Sequence, residues 1–143
     1  GMIYVLQENG IVPSFLLTNL INMNFLRIAA ISAAIAIALG AFGAHALNDR
    51  LVADGMLEAW KTAVLYHLVH SVALFSLAFR SGGIQSRQST IAAWSWLAGM
   101  FLFSGSLYGL ALGGPSILGP ITPLGGLGLI IGWVALAFSS ASE

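Results

Sequence analysis

Residues 28–47 read "IAAISAAIAIALGAFGAHAL", and between Arg27 and Asp49 the chain carries no Asp, Glu, Lys or Arg. A helix of about 20 apolar residues rises ~30 Å, the thickness of a bilayer's hydrocarbon core. The same kind of gap recurs between Lys61 and Arg80, and again between Arg87 and the terminal Glu143. The last interval is long enough for two crossings, and "LGGPSILGPITP" at residues 112–123 interrupts it with glycine and proline. These runs are continuously apolar rather than alternating, and lipid leaves no water to satisfy an open strand edge, so helices are expected rather than barrel strands. The expectation is an all-α integral membrane protein, a four-transmembrane-helix bundle with spans at 28–47, 63–79, 91–112 and 123–138.

Composition agrees. The chain is 58% hydrophobic and 7% charged, against roughly 45–50% and about 25% in soluble domains. So few charged side chains cannot clothe a water-facing surface. Net charge is zero and the basic residues are scattered, which excludes an electrostatic footprint for nucleic acid. Without cysteine there are no disulfides, thiolate nucleophiles or Cys-based metal sites. Gly1 ahead of Met2 reads as a residue left by cleavage of a tag.

Local signals set the expected helix ends. Ser89 is placed to cap the third span, and Thr122 with Pro123 reads as a cap and first-turn pair for the fourth. Asp54 is expected to cap an interfacial lead-in to the second span, where Met56, Leu57, Trp60 and Val64 share an apolar side and Glu58 and Lys61 are spaced to pair. Trp60, Trp94 and Trp96 fall where an aromatic belt is expected. Small residues recur every four positions at Ala36, Gly40 and Ala44, at Gly105, Gly109 and Gly113, and at Gly128 and Gly132. Backbones can approach closely there, chiefly within the four-helix unit, with a homo-oligomer seam as the other reading. Arg27, the apolar run and "AHA" at 44–46 also imitate a secretory signal, but the run is long for a signal core and its small-residue spacing suits a helix that stays.

Four motifs give a resemblance. "LGAFGAHAL" from Leu39, Trp60 with "TAVLYHLVH" to His70, "LFSGSLYGLAL" from Leu102 and "GPITPLGGL" from Gly119 resemble, in order and spacing, the YgdD-type family of small membrane proteins over about Asn24 to Phe138. The resemblance implies four membrane helices, a bacterial inner-membrane location and no established activity. Two departures stand out. "MNFLRIAA" from Met23 reads like a family start, so residues 1–22 are taken as an N-terminal extension or a start assigned too far upstream, and 23–143 as the membrane domain. The family is also expected to carry glutamine where this chain has His67.

Alternating chain direction places His45, His67, His70, Ser104, Ser106, Tyr108 and Thr122 in the same half of the bilayer. They form the candidate site, a polar pocket opening toward loops 48–61 and 113–122 and bordered by the N-terminus of the fourth helix. Intramembrane Ser and Thr commonly bridge helices, and Tyr108 suits an interface anchor as well as a ligand contact. Histidine within a span is rarer and usually serves something; His45 and His70 are expected to act as neutral hydrogen-bonding posts between helices, with both nitrogens of His70 paired and His45 nearer water. No metal and no cofactor are expected, because no carboxylate or thiol lies in a span to join His67 and His70. Their depth also differs from that of His45. The expected function is a non-enzymatic binding or membrane-assembly module in the inner membrane, with both termini cytoplasmic, the bilayer as its partner and a small-molecule ligand of unknown identity. The alternatives are a small-molecule or proton-linked transporter, for which no embedded carboxylate is present, and a lipid- or quinone-acting enzyme, for which no nucleophile motif or phosphate loop is present.

Overall fold

The computed structural model describes residues 13–80 and 83–139. Helix α1 spans Ser14–Ala44, the short α2 Asn48–Ala53, α3 Leu57–Phe79, α4 Arg87–Ala111 and α5 Leu118–Ala137. Four of these, α1, α3, α4 and α5, are long and apolar enough to cross a membrane. Their exposed surface is hydrocarbon, including Ile31, Ile37, Phe75, Trp94, Phe101 and Ile130, as a lipid-facing surface requires. Helices α3 and α4 pack on each other, α1 lies chiefly along α3, and α5 lies chiefly along α4. Phe25 of α1 also meets Trp94 of α4 edge-on, with ring centroids 5.6 Å apart.

The helix ends differ from expectation, each for a local reason. The first span was expected from Ile28, but α1 begins at Ser14, directly after Pro13, whose carbonyl accepts from the Leu16 amide at 3.0 Å. The helix passes residues 22 and 23 without a break. Asn22 then accepts a hydrogen bond from the Ile84 amide in the turn joining α3 and α4, at 2.9 Å. Helix α4 is capped by Ser86, which accepts from the Ser89 amide at 3.0 Å; Ser89 is buried in the first turn rather than capping it. Asp54 closes α2 instead of opening α3, and lies 3.6 Å from Arg50. Helix α5 begins at Leu118, ahead of the expected Thr122–Pro123 start. Pro120 falls in its first turn, where amides lack intrahelical partners anyway, and Pro123 follows inside the helix. The pair of Glu58 and Lys61 forms as expected, at 2.8 Å.

Two turns are built alike. After α2, the Gly55 amide bonds the Val52 carbonyl and the Met56 amide bonds Leu51, with Gly55 at φ 67°. After α4, Gly113 bonds Leu110 and Gly114 bonds Gly109, with Gly113 at φ 84°. Both are Schellman closures, which need a left-handed residue just past the helix. Arg50 then donates to the Leu112 carbonyl at 3.0 Å, placing a cation at the negative end of α4 and tying the two loops together.

Without a hydrophobic drive between helices in lipid, close packing and interhelical hydrogen bonds hold such a bundle. The glycines of "LGAFGAHAL" serve this. A Cβ on Gly43 would overlap the Trp60 indole, which lies across it and donates to the Leu39 carbonyl at 2.9 Å. Trp60 and Trp96 were expected in an aromatic belt, but both are buried, Trp96 against Gly132; Trp94 alone of the three is exposed. Along α4 and α5, Gly128 faces Gly99, and Gly125 sits against the backbone of Phe103. The small residues at 40, 128 and 132 are therefore engaged within the molecule, whereas Gly105 faces open space.

Candidate functional site

The seven polar residues expected to form one pocket separate into distinct settings. His45 is exposed at the end of α1, in a shallow depression with Ala41, Phe42 and Ala46. Ser106 and Thr122 pair with each other at 2.6 Å, joining α4 to α5, and whichever hydroxyl accepts in that pair donates to a carbonyl of its own helix. His70 faces α5: its Nδ1 meets the Tyr66 carbonyl at 2.8 Å, and its Nε2 accepts from the Trp133 indole at 3.0 Å. These two partners specify a neutral ring with the proton on Nδ1.

His67, three residues earlier on α3, faces α1 instead. Residues three apart on a helix differ by about 60° in azimuth, and here that difference gives the two rings partners on different helices. His67 Nε2 lies 3.0 Å from Ser32 Oγ of α1, and its Nδ1 lies 3.3 Å from the Tyr108 hydroxyl of α4. Ser32 is 2.7 Å from Ser71, and Ser71 donates to the His67 carbonyl at 2.8 Å.

The directions follow from proton counting. Ser71 uses its one hydrogen on the carbonyl, so it accepts from Ser32. Ser32 then accepts from His67 Nε2–H, which leaves Nδ1 to accept from Tyr108. Every ring nitrogen and serine hydroxyl of this chain is satisfied, and its last bond returns to the backbone of α3.

Three members of this chain, Ser32, His67 and Tyr108, line a cavity of about 330 Å³ between α1 and α4. Ile35 and Leu39 line the α1 wall; Leu97, Met100, Phe101, Ser104 and Gly105 line the α4 wall. Ile35 and Phe101 are exposed on the helix flanks, so the cleft opens sideways at the depth of lipid hydrocarbon. It was expected to open toward the loops. That end is instead filled by Leu51, Trp60 and Ala111, with Leu39 and Tyr108 packed on them, because Gly43 lets the indole sink onto α1. The N-terminus of α5, expected at the pocket rim, contributes no residue to this cleft.

Within the cavity one polar group stands out. Ser104 is 1% exposed and its hydroxyl has no hydrogen-bond partner among the described residues. Among the described residues no three His, Asp or Glu side chains gather as a metal site would require.

Sequence reasoning missed Ser32, Ser71 and Trp133. Ser32 interrupts an otherwise aliphatic run, and a hydroxyl in such a run is the signal that could have found it. Ser71 was readable only once a partner helix was known, and Trp133 passes for an interfacial anchor.

The family described as "Protein of unknown function (DUF423)" matches residues 39–126, a stretch that includes the first three quoted motifs whole and all of the fourth but its last residue, Leu127. The chain is 44% identical over 117 residues to the UPF0382 membrane protein YwdK of Bacillus subtilis, covering 81% of this chain and 94% of that one. It is 38% identical over 117 residues to a UPF0382 membrane protein of Haemophilus influenzae, covering 81% and 92%. A UPF0382 membrane protein of Schizosaccharomyces pombe is 35% identical over 119 residues, covering 80% and 98%. No solved structure matches the chain. Four membrane-crossing helices, the motifs in order and near-complete coverage of relatives from bacteria and yeast converge: the chain belongs to the UPF0382 membrane protein family, whose matching domain is DUF423.

Proposed function

We propose that this chain, as a YgdD-type member of its family, is a non-enzymatic binding module of the bacterial inner membrane that takes a small apolar molecule from the lipid phase. The observation that carries the reading is the lateral cleft between α1 and α4, where polar groups from three helices meet at hydrocarbon depth. Polar groups placed there are costly unless they serve packing or a ligand. The hydrogen-bonded chain through His67 ends on the carbonyl of its own helix, so it does not lead onward across the membrane. That argues for binding over proton-linked transport. Native mass spectrometry of gently extracted protein tests the reading. A retained small molecule on a monomer is expected, since the small-residue faces at 40, 128 and 132 are engaged within the molecule. A bare chain under every mild extraction, or a protein partner in place of a ligand, counts against it.

Both termini are proposed to be cytoplasmic. Arg27, Arg80 and Arg87 lie toward the terminal side, against Arg50 and Lys61 on the other, the bias of the positive-inside rule. Reporter fusions at the C-terminus and in loop 48–56 are expected to read cytoplasmic and external respectively; the opposite pattern reverses the orientation. Residues 1–22 are proposed to be dispensable. A chain starting at Met23 loses the Asn22 bond to Ile84, worth about 1 kcal/mol, and is expected to insert and extract as the longer chain does. Selective degradation of the shorter chain would show otherwise.

A further inference from the structure

From the unpartnered hydroxyl of Ser104 and the open space at Gly105, we infer that the cleft between α1 and α4 binds the carbonyl group of an uncharged, membrane-dissolved amphiphile. The inference rests on the binding reading above and adds the ligand's chemistry.

Three features define that chemistry. The first is the donor. Ser104 is buried and its hydroxyl is unspent, a state that native structures rarely leave unsatisfied. Its neighbours in the cavity, His67 and Tyr108, have their hydrogens committed to Ser32 and to His67 respectively. Among the polar side chains lining the cleft, Ser104 therefore holds the hydroxyl hydrogen that no described protein group accepts, and a carbonyl oxygen is a complementary group. The second is charge. Among the described residues no Lys, Arg, Asp or Glu lines the cavity, so a carboxylate or phosphate entering it would lose its hydration with no counter-ion, which is strongly unfavourable. The third is size and access. A cavity of about 330 Å³ is roughly twice the ~150 Å³ that accommodates benzene and sits at the small end of ligand pockets. It holds one ring or a short acyl segment, while the sideways opening leaves an aliphatic tail in the lipid. Gly105 keeps the mouth clear: a Cβ there would meet nothing within 4 Å.

Two sources carry this group, a quinone ring and the ester of a neutral acylglycerol, and the test separates them. The chain contains four methionines, and of the three among the described residues Met100 lines this cleft. With methyl-labelled methionine in detergent micelles, titration with a decyl-substituted benzoquinone is expected to shift the Met100 methyl signal saturably. The Met23 and Met56 signals report unspecific partitioning and should stay nearly still. Dioctanoylglycerol is the second probe; whichever binds more tightly names the source. Ser104→Ala is expected to weaken binding by about three- to tenfold, the effect of one hydrogen bond. Gly105→Leu should abolish the saturable shift while leaving the fold intact, because its side chain enters open space. Dodecane is the discriminating control. If dodecane saturates Met100 as well as the carbonyl probes do and Ser104→Ala changes nothing, the cleft binds hydrocarbon alone and the carbonyl assignment is wrong, although the binding reading stands. If no probe gives a saturable Met100 shift that Gly105→Leu removes, both fail.

Discussion

Gly125→Ala is expected to destabilise the protein by about 1 to 3 kcal/mol, the cost of overpacking a tight contact, while Gly126→Ala, one residue along the same helix, should be neutral or slightly stabilising. The difference lies in what the added methyl meets. At Gly125 it would collide with the backbone of Phe103 on α4, which cannot rotate aside as a side chain can. At Gly126 the nearest atoms belong to the Phe103 ring, at 3.5 Å, an ordinary contact. The added methyl at 125 therefore has to push α5 away from α4 along the most intimate helix pair of the bundle. That movement also strains the bond between Ser106 and Thr122 and the contact of Gly132 with Trp96. At Gly126 only the gain in helix propensity remains, up to about 1 kcal/mol. Denaturant titration of the detergent-solubilised variants, followed by far-UV circular dichroism, measures both. Equal midpoints for the two would show that α4 and α5 do not approach as described.

The fold was legible because membrane physics leaves few choices. Charge-free intervals, their length and the Gly/Pro break after Leu112 were enough for the number, type and order of the spans. Helix ends were less legible. Ser86, Ser89, Asp54 and Thr122 are all cap-forming residue types, and a serine three residues from another serves as cap or as capped equally well until the turn is seen. The tryptophans show a different limit. Trp60 and Trp96 have the composition of belt residues, but a glycine on the facing helix, distant in sequence, decides whether an indole lies at the interface or inside. Gly43 and Gly132 made that decision, and only the helix pairing reveals which glycine faces which indole.

The candidate site was partly legible for a related reason. Depth along the membrane normal can be read from position within a span, so placing His67, Ser104 and Tyr108 in the same region was within reach. Azimuth cannot be read from depth. An azimuthal difference of about 60° between His67 and His70 gives one ring a partner on α1 and the other a partner on α5, and the seven residues expected in one half-membrane divide among different helix pairs. Ser32 and Ser71 complete the His67 chain from positions that look like filler in an aliphatic run.

His70→Leu is expected to cost on the order of 1 to 3 kcal/mol, because it removes a group whose two nitrogens both have partners and strands those partners in a region without water. The Trp133 indole N–H loses its acceptor at 3.0 Å, and the Tyr66 carbonyl loses one of its donors at 2.8 Å. Leucine restores neither, and it does not reproduce the edge-on packing of the imidazole against Trp96 and Trp133. His45→Leu is the control. His45 was expected to act as a second hydrogen-bonding post, but it is exposed at the C-cap of α1, and its replacement should stay within about 0.5 kcal/mol, as for ordinary surface changes. A double-mutant cycle with Trp133→Phe isolates the bond itself. Phenylalanine keeps a ring at the site but removes the N–H, so the two substitutions should be non-additive by about 0.5 to 1.5 kcal/mol. Additive effects within error would mean that the imidazole and indole do not touch, and equal costs at His45 and His70 would mean that burial between α3 and α5 gives the inner histidine no special role. A coupling confined to the His70 and Trp133 pair, with ligand-induced Met100 shifts unchanged, would give the two histidine rings separate roles, His70 joining α3 to α5 while His67 shapes the cleft on the other side of α4.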